Sequence, residues 1–397
     1  MRVIIFTGKG GTGKTSVAAA TAARLAKQGK RTLVLSTDAA HNLADVLAAP
    51  VGPEPVEIAD RLWGQEVNSL RETERNWETI QGWLTRLLDK AHLKDISTEE
   101  MLVFPGMEEL LNLLQLREHT QSGRFDVVVV DCAPTGETLR LLSYPNVLNW
   151  WLEKIFPLER RLIKFMRPVA RLAGQVELPP DEVLDSVERL ARGLEETQRL
   201  VLDPEITSVR IVLNPEKMVV AESKRAFTYL NLFGFSTDAV VVNRVLPAEA
   251  GQGFFSGWLE NQRKHEEEIE TNFRPLPILK APMMPEEVIG LPALERFADL
   301  LYESRDPAAM LYRGRTETFR EEDGATLLEL ALPFMDREEL DLTQTGDELT
   351  VHAGAYKRKV ILPRSLAGSR VEGAKFADGR LVIRFGKRAP EDRNDES

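Results

Sequence analysis

The sequence predicts an α/β protein with a mostly parallel sheet flanked by helices and a helical subdomain, followed by a small all-β sandwich. Its first segment has the pattern of a strand, a glycine-rich turn and a helix. Residues 127–130 are four consecutive valines, which is typical of a strand buried on both faces. From about residue 322 apolar and polar residues alternate, which indicates half-buried strands.

Composition limits the class of protein. The chain has 397 residues, of which 43% are hydrophobic and 28% charged, so it is long enough for two globular domains. The net charge of −11 disfavours non-specific nucleic-acid binding. No apolar run reaches about 18 residues, so we expect no transmembrane helix. Met1 leads straight into the first strand, and the single Cys132 precludes an intrachain disulfide, so we expect a cytoplasmic protein without a signal peptide.

The glycine-rich turn has the spacing of a phosphate-binding loop, G-x-x-x-x-G-K-T. Residues 3–6 before it are apolar, and residues 16–28 after it form an alanine-rich helical pattern. Glycines let the backbone amides turn towards phosphate oxygens, and the helix N-terminus adds a partial positive charge. We therefore predict a P-loop NTPase in which Lys14 reaches the β- and γ-phosphates and Thr15 binds magnesium. The predicted phosphate-binding residues are Gly8, Lys9, Gly10, Gly11, Thr12, Gly13, Lys14, Thr15 and Ser16.

Two further strands end in aspartate-containing segments. Residues 31–36 form the next predicted strand, and Asp38 follows it, where it could orient a water for attack on the γ-phosphate or cap the next helix. Residues 125–131 form the clearest buried strand and end at Asp131, which is placed to bind Mg²⁺ through water. Cys132 has no thiol or metal-ligand neighbour in sequence and is predicted to be a small buried hydrophobe.

Two helical regions interrupt this pattern, at about 60–122 and 147–200. Apolar residues recur at spacings of three and four in 77–91, and again in 107–116. In 148–172 the apolar face is wider than one packing stripe requires, and the remaining face is basic. These faces could be ordinary core, or they could form an apolar surface that receives a hydrophobic client.

The later part of the chain completes the sheet and adds the sandwich. Residues 209–213 and 239–243 read as further strands, and Asn243 at the end of the second could bind an adenine edge. We expect the first domain to cover 1–303, a linker to cover 304–321, the sandwich to cover 322–387 and a disordered tail to cover 388–397. Three alternating strands are predicted in the sandwich, at 328–333, 347–353 and 381–385.

The first 303 residues or so resemble the ArsA/guided-entry family of ATPases. The phosphate loop has the K-G-G-T-G-K-T form, residues 36–43 resemble the first switch of that family, and residues 131–138 resemble its second switch. The resemblance implies ATP as nucleotide and Mg²⁺ as cofactor. It gives the following roles: Asp38 in hydrolysis, Lys9 across a homodimer interface to the partner's nucleotide, Glu222 at the nucleotide, and Asn243, Pro282 and Met283 around the adenine. Ala39 replaces a usual proline, and Glu137 stands where histidine is common.

One departure bears on metal binding. Some targeting factors of this family share a zinc ion through a Cys-x-x-Cys pair, and the corresponding region, around 254–268, has no cysteine. The five histidines are too scattered to replace it, so we expect no zinc. The same shortage of thiols disfavours arsenite pumping, because As(III) prefers thiolate ligands.

The C-terminal segment resembles the α-crystallin domain of small heat-shock proteins. The match lies in residues 330–334, 346–351, 357–363 and 374–381. This resemblance implies contact with non-native or extended apolar chains; the physical alternative is a generic sandwich that serves interdomain packing.

Taken together, the sequence predicts an ATP-hydrolysing homodimeric chaperone or targeting factor. Its expected partner is a hydrophobic, transmembrane-type protein segment, such as that of a tail-anchored membrane protein, held in a nucleotide-dependent groove. Membrane contact is expected to be indirect only, and no nucleic acid is expected. The alternatives are a metalloid pump ATPase subunit and a nucleotide-switched scaffold of the MinD/ParA kind.

Overall fold

The computed structural model describes residues 1–37, 42–66, 79, 82–83, 107–132, 180–251, 253–366 and 368–386, with backbone only at 107–113, 251, 254 and 364. The chain divides into two compact units. The first unit consists of Met1–Thr207 and Met284–Ala309, and the second of Ser208–Met283 and Met310–Ser397.

The described part of the chain contains the following strands and helices. The strands are β1 (Arg2–Thr7), β2 (Thr32–Ser36), β3 (Val56–Ala59), β4 (Leu62–Glu66), β5 (Val127–Asp131), β6 (Thr207–Leu213), β7 (Thr237–Val245), β8 (Ile278–Pro282), β9 (Glu317–Glu322), β10 (Ala325–Ala331), β11 (Leu340–Thr345), β12 (Glu348–Ala353), β13 (Tyr356–Ile361), β14 (Val371–Ala377) and β15 (Arg380–Phe385). The helices of at least five residues are α1 (Lys14–Lys27), α2 (Leu43–Leu47), α3 (Met107–Ser122), α4 (Asp181–Leu202), α5 (Lys217–Leu232), α6 (Ser256–Asn272) and α7 (Leu291–Tyr302).

The first unit is an α/β layer in which five strands lie in the order β3-β4-β2-β5-β1. All neighbouring pairs are parallel except β3 with β4. β2 and β5 are buried along their whole length, as their β-branched and leucine side chains predict. α1 packs against α7, where the hydroxyls of Thr21 and Tyr302 are 2.7 Å apart. This packing holds the helix that follows the glycine-rich turn.

The second unit combines three parallel strands with two antiparallel sheets. The parallel strands lie in the order β6-β7-β8 and carry α5 and α6. The antiparallel sheets, β14-β15-β10-β9 and β11-β12-β13, form what we call the sandwich, residues 317–385. α5 packs on the sandwich, where the rings of Tyr229 and Tyr356 have centroids 3.8 Å apart and the Arg358 guanidinium donates to the Leu232 carbonyl at 2.7 Å.

The predicted fold class is confirmed. The parallel strands expected near 3–6, 31–36, 125–131, 209–213 and 239–243 are all present, as are the three strands expected in the sandwich. Cys132 is buried, with 2% of its surface exposed.

Two segment predictions were wrong. Residues 62–66 form β4, although helix was predicted from about residue 60, because β4 pairs with β2 along its whole length. Gly64 is closely covered there, since an added Cβ would lie 3.1 Å from Leu47 Cδ1. Residues 317–321, the end of the predicted linker, belong to β9 (Glu317–Glu322), which pairs with β10. This strand is largely exposed and rich in charged residues, with Arg320 paired to Glu322, so its sequence lacks the alternation of apolar and polar residues that predicts a strand.

Several predictions fall wholly or mostly outside the described residues. These are the roles of Asp38 and of residues 133–140, the apolar helical faces of 77–91 and 148–172, and the tail 388–397.

Candidate functional site

The site is built on the turn between β1 and α1. Gly8, Gly11 and Gly13 have φ angles of 154°, 81° and 87°, which L side chains rarely adopt. Gly13 is the residue before α1, so the chain passes from a left-handed conformation directly into the helix at Lys14. The glycine spacing in the sequence is therefore what the turn requires.

The Lys9 carbonyl is the internal anchor of this turn. It accepts hydrogen bonds from the Thr12 hydroxyl at 2.8 Å and from the Lys14 ammonium at 3.3 Å, with the Thr12 N–H at 3.4 Å. Lys14 is only 6% exposed, so its charge is held at the turn instead of extending into solvent. The ammonium group of Lys14, the predicted phosphate-binding lysine, is therefore held against the backbone of the predicted phosphate loop.

The outer side of the turn is open. Gly10 and Gly11 are exposed, and a Cβ built on either meets nothing within 4 Å. The free space lies beside backbone N–H groups, the Lys14 ammonium and the N-terminus of a 14-residue helix. Such groups bind the phosphates of nucleotides, so the residues of this turn are suited to hold a nucleotide phosphate.

Asp131 is the last residue of β5, so it lies at the same carboxyl end of the parallel strands as the glycine-rich turn. In the strand register it is opposite Phe6 of β1 and Ser36 of β2. The Ser36 hydroxyl donates to Asp131 Oδ2 at 3.4 Å, and the Thr37 N–H donates to the Asp131 carbonyl at 2.9 Å. A buried carboxylate beside hydroxyl groups is an oxygen-rich donor set, which suits the hydration shell of Mg²⁺.

The segment that contains Asp38 is bounded on both sides by ordered contacts. Thr37 precedes it, and α2 begins just after it at Leu43. Glu66, at the end of β4, accepts the N–H groups of Leu43 and Ala44 at 2.8 and 2.9 Å. The sequence analysis missed Glu66, because its position becomes informative only once β4 is known to lie beside β2.

The residues predicted to surround the adenine belong to the second unit, whereas the phosphate loop belongs to the first. Asn243 on β7 is buried, and its Oδ1 accepts the Arg244 N–H at 2.9 Å. The Met283 N–H donates to the Val245 carbonyl at 2.8 Å, which brings Pro282 and Met283 to the end of the same strand. Half of Met283 is exposed, and Glu222 is a partly buried residue of α5.

A buried polar network in the first unit was not predicted. The Gln65 side-chain amide of β4 donates to the Pro53 backbone carbonyl and to Gln115 Oε1, both at 2.6 Å, and His119 Nε2 donates to Gln65 Oε1 at 2.7 Å. Burial, with a smaller contribution from the charge of Arg124, lowers the pKa of His119 to about 4. The imidazole is therefore neutral at pH 7 and carries its proton on Nε2.

Comparison with known families decides the identity of the larger part of the chain. The model of the anion-transporting ATPase (ArsA ATPase) family matches residues 1–303. The chain belongs to this family. A second model, that of an HSP20-like domain found in ArsA proteins, matches residues 323–385, which lie within the sandwich.

Relatives match over nearly the whole chain. A protein of Chlorobaculum tepidum with the provisional name arsenical pump-driving ATPase is 39% identical over 97% of this chain and 96% of its own length. A similarly named protein of Aquifex aeolicus is 37% identical over 96% of this chain and 99% of its own. A Trypanosoma cruzi protein named ATPase ASNA1 homolog is 29% identical over 76% of this chain and 91% of its own.

Family membership and the geometry of the loop agree. The protein is an ATPase of the ArsA family, and it binds nucleotide. Within the described ranges, no three His, Cys, Asp or Glu side chains cluster as metal ligands would, and no helix is long and apolar enough to cross a membrane.

Proposed function

We propose that the protein is an ATP-hydrolysing homodimeric chaperone or targeting factor for hydrophobic, transmembrane-type protein segments. Nucleotide binding is supported by one observation: the open phosphate loop, Ser36 and Asp131 lie together at the carboxyl ends of neighbouring parallel strands. The chaperone part is supported by the HSP20-like domain and by relatives named ASNA1 homolog. The client would occupy a nucleotide-dependent groove formed by the predicted helical regions that follow β4, up to about residue 122, and at about 147–200.

Each residue of the site has a proposed role. Lys14 and the amides of residues 8–16 would hold the phosphates, and Thr15 and Asp131 would hold Mg²⁺, the aspartate through water. Magnesium, when bound, supplies positive charge to the β- and γ-phosphate oxygens. Ser36 positions the Asp131 carboxylate through its hydroxyl. Asp38 would orient the attacking water.

Dimerisation and base recognition complete the proposal. Lys9 would reach the nucleotide of the partner subunit, so that ATP binding and closure of the dimer become one event. Glu222 would contact the nucleotide, and Asn243, Pro282 and Met283 would surround the adenine. ATP can drive closure only if it makes contacts in the closed form that are absent in the open form.

A metalloid pump subunit is the second candidate, because several relatives have names that describe arsenical pumps. Trivalent arsenic and antimony are bound by several thiolates. The sequence contains one cysteine, and that residue, Cys132, is buried. The chemistry of the side chains therefore favours a protein client.

Turnover of ATP separates the two candidates. Steady-state hydrolysis would be measured with antimonite and, separately, with a single-helix transmembrane peptide. The proposal predicts that the peptide changes the rate, whereas antimonite and a length-matched peptide with serines in place of its leucines do not. Stimulation by antimonite, with no response to the apolar peptide, would reject the chaperone function in favour of the pump.

A further inference from the structure

The second unit contains a cavity of about 210 Å³ that has no part in the proposed ATPase cycle. Its walls come from five parts of this unit: α5, the start of β7, the loop before β8, residues 312–316 and the sandwich. The apolar lining includes Phe227, Leu276 and Tyr312. This volume is large enough for a small ligand, on the scale of a single ring with one substituent.

A buried hydroxyl lies in the wall. Thr237, the first residue of β7, is 5% exposed, and its Oγ1 has no hydrogen-bond partner within the described ranges. A buried polar atom that forms no hydrogen bond costs about 1–3 kcal/mol, so such atoms are rare and call for an explanation. A ligand that hydrogen-bonds to this hydroxyl would account for it.

The cavity is positively charged where it meets solvent. Arg274 and Arg315 line it, and both are exposed. Neither forms a hydrogen bond or a salt bridge with another described residue, although the pKa of Glu270 is lowered first by Lys280 and in smaller part by the charge of Arg274. Arg380 also lines the cavity but is already paired with Glu329. Asp378 contributes one carboxylate. Two guanidinium groups therefore remain available for an anion, and guanidinium binds carboxylate and phosphate in a planar, two-pronged manner.

Glycines shape two of the walls. A Cβ added to Gly314 would collide with the ring of Tyr312, so the ring packs directly on the backbone. A Cβ added to Gly379, whose φ is 69°, would lie 3.2 Å from Pro333 Cα. Both glycines line the cavity, and the lack of a side chain at each lets Tyr312 and Pro333 approach the backbone closely.

We propose that this cavity binds a small organic anion. The apolar body lies against Phe227, Leu276 and Tyr312, the carboxylate or phosphate meets Arg274 and Arg315, and an oxygen or nitrogen of the ligand pairs with the Thr237 hydroxyl. The site shares no residue with the proposed nucleotide and client sites, so it stands or falls independently of the proposed function.

Four probes test the chemistry. Isothermal titration would be performed on the full chain, saturated with Mg·ADP so that the nucleotide site does not take up the phosphate probe. Benzoate and phenyl phosphate are expected to bind with one-to-one stoichiometry, and the stronger of the two identifies the preferred acid group. Phenol, which lacks the charge, and inorganic phosphate, which lacks the ring, are expected to bind at least about tenfold more weakly. If neither ring-bearing anion binds at millimolar concentration, the proposal is wrong.

Variants locate the binding. The double variant Arg274→Gln/Arg315→Gln should lose about tenfold or more in affinity for the ring-bearing anions, whereas Arg263→Gln, an exposed arginine of α6 that does not line the cavity, should not. Wild-type affinity in the double variant would overturn the assignment, as would an equal loss in Arg263→Gln.

Thr237→Val provides a second, independent check. Because the threonine hydroxyl forms no hydrogen bond within the described ranges, its replacement by methyl should leave Tm unchanged or raised, while affinity for the anion falls several-fold. A lowered Tm together with unchanged affinity would show that the hydroxyl is structural and would contradict its role in the site.

Discussion

Single side chains set the chemistry of the phosphate loop. The Lys14 ammonium and the Thr12 hydroxyl share one acceptor, the Lys9 carbonyl, so the loop is held by its own groups. A phosphate that enters beside Gly10 and Gly11 offers Lys14 a charged acceptor in exchange for a neutral one. The new bond would join two opposite charges, so Coulombic attraction is added to a hydrogen bond whose donor is already charged. Lys14 is thus pre-positioned near the phosphate at little cost in conformational entropy.

Replacing Lys14 tests this role. Lys14→Met retains most of the apolar stem but removes the charge, and we expect ATP turnover to fall by about 10²–10³-fold, as when one preorganised donor is removed from a reacting centre. Lys27→Met, at the other end of α1 and paired only with Glu295 among the described residues, is the matched control and should hydrolyse ATP normally. Equal turnover in the two variants would refute the assignment.

His119 gives a pH-dependent prediction. Its pKa in the folded protein, about 4, is below the usual 6.5, so the unfolded chain binds more protons between these values. The stability that this residue contributes is present above about pH 6.5 and is lost as pH falls towards 4, by up to about 3 kcal/mol.

The experiment is urea unfolding of wild type and His119→Gln at pH 7 and pH 5. The glutamine can still donate to Gln65 but cannot titrate, so the variant should lose less stability than the wild type on acidification. If both proteins lose the same amount, the buried neutral imidazole is not responsible for the acid sensitivity.

At the scale of elements, α5 joins the parallel strands of the second unit to the sandwich. The Thr228 hydroxyl donates to the Pro333 carbonyl, and Arg358 from β13 donates to the carbonyl of Leu232 at the last turn of α5. Arg358 also pairs with Glu317 of β9. One arginine therefore ties the end of a helix to both sheets of the sandwich.

Removing that arginine should loosen the helix end. We expect Arg358→Met to lower the free energy of unfolding by about 1–3 kcal/mol, since a partly buried charged hydrogen bond and an ion pair are lost. Amide exchange near Gly234 should quicken. Arg384→Met, which breaks a more exposed pair with Glu372, should change stability by less than about 0.5 kcal/mol. An equal effect of the two variants would contradict the special role of Arg358.

The strands β6 and β7 are linked by a buried ion pair. Arg210 and Asp238 are both 0% exposed, with Arg210 Nε 3.0 Å from Asp238 Oδ1, and Asp238 Oδ2 also accepts the Leu311 N–H at 3.2 Å. The carboxylate therefore fixes the start of the segment that leads to the sandwich.

Breaking this pair should be costly. Asp238→Asn leaves a buried guanidinium without its counter-charge, and we expect a loss of about 3–5 kcal/mol in urea unfolding. The double variant Arg210→Met/Asp238→Asn should recover part of that loss, because neither charge remains buried. Glu260→Gln, on a fully exposed pair with Lys264, should have no measurable effect. A double variant less stable than Asp238→Asn would contradict the account.

The features that the sequence predicted are those encoded locally. Residues 8–15 determine both the backbone conformation and the phosphate-binding groups, so the phosphate loop could be inferred from this eight-residue motif alone. β4 could not be predicted from the sequence, because its residues are held as a strand by pairing with β2. β9 could not be predicted either, because its charged residues give no alternation of apolar and polar side chains. The His119 network and the cavity bring together residues that are far apart in sequence, and no spacing rule connects them.

For the whole molecule, the central claim is that ATP binding is coupled to holding an apolar protein segment. The family assignment establishes the ATPase, and the HSP20-like domain supports contact with other polypeptides. The net charge of −11 disfavours non-specific binding to anionic surfaces.

The most direct measurement is capture of a transmembrane segment by the Asp38→Asn protein, in which ATP should bind but not be hydrolysed. A purified single-helix segment would be added in the presence of Mg·ATP or Mg·ADP, with Lys14→Met as the control that cannot hold the phosphates. We predict that the segment stays in solution as a complex with the ATP form, is released on exchange for ADP, and is not captured by Lys14→Met. Equal capture in all nucleotide states, or none in any, would contradict the account.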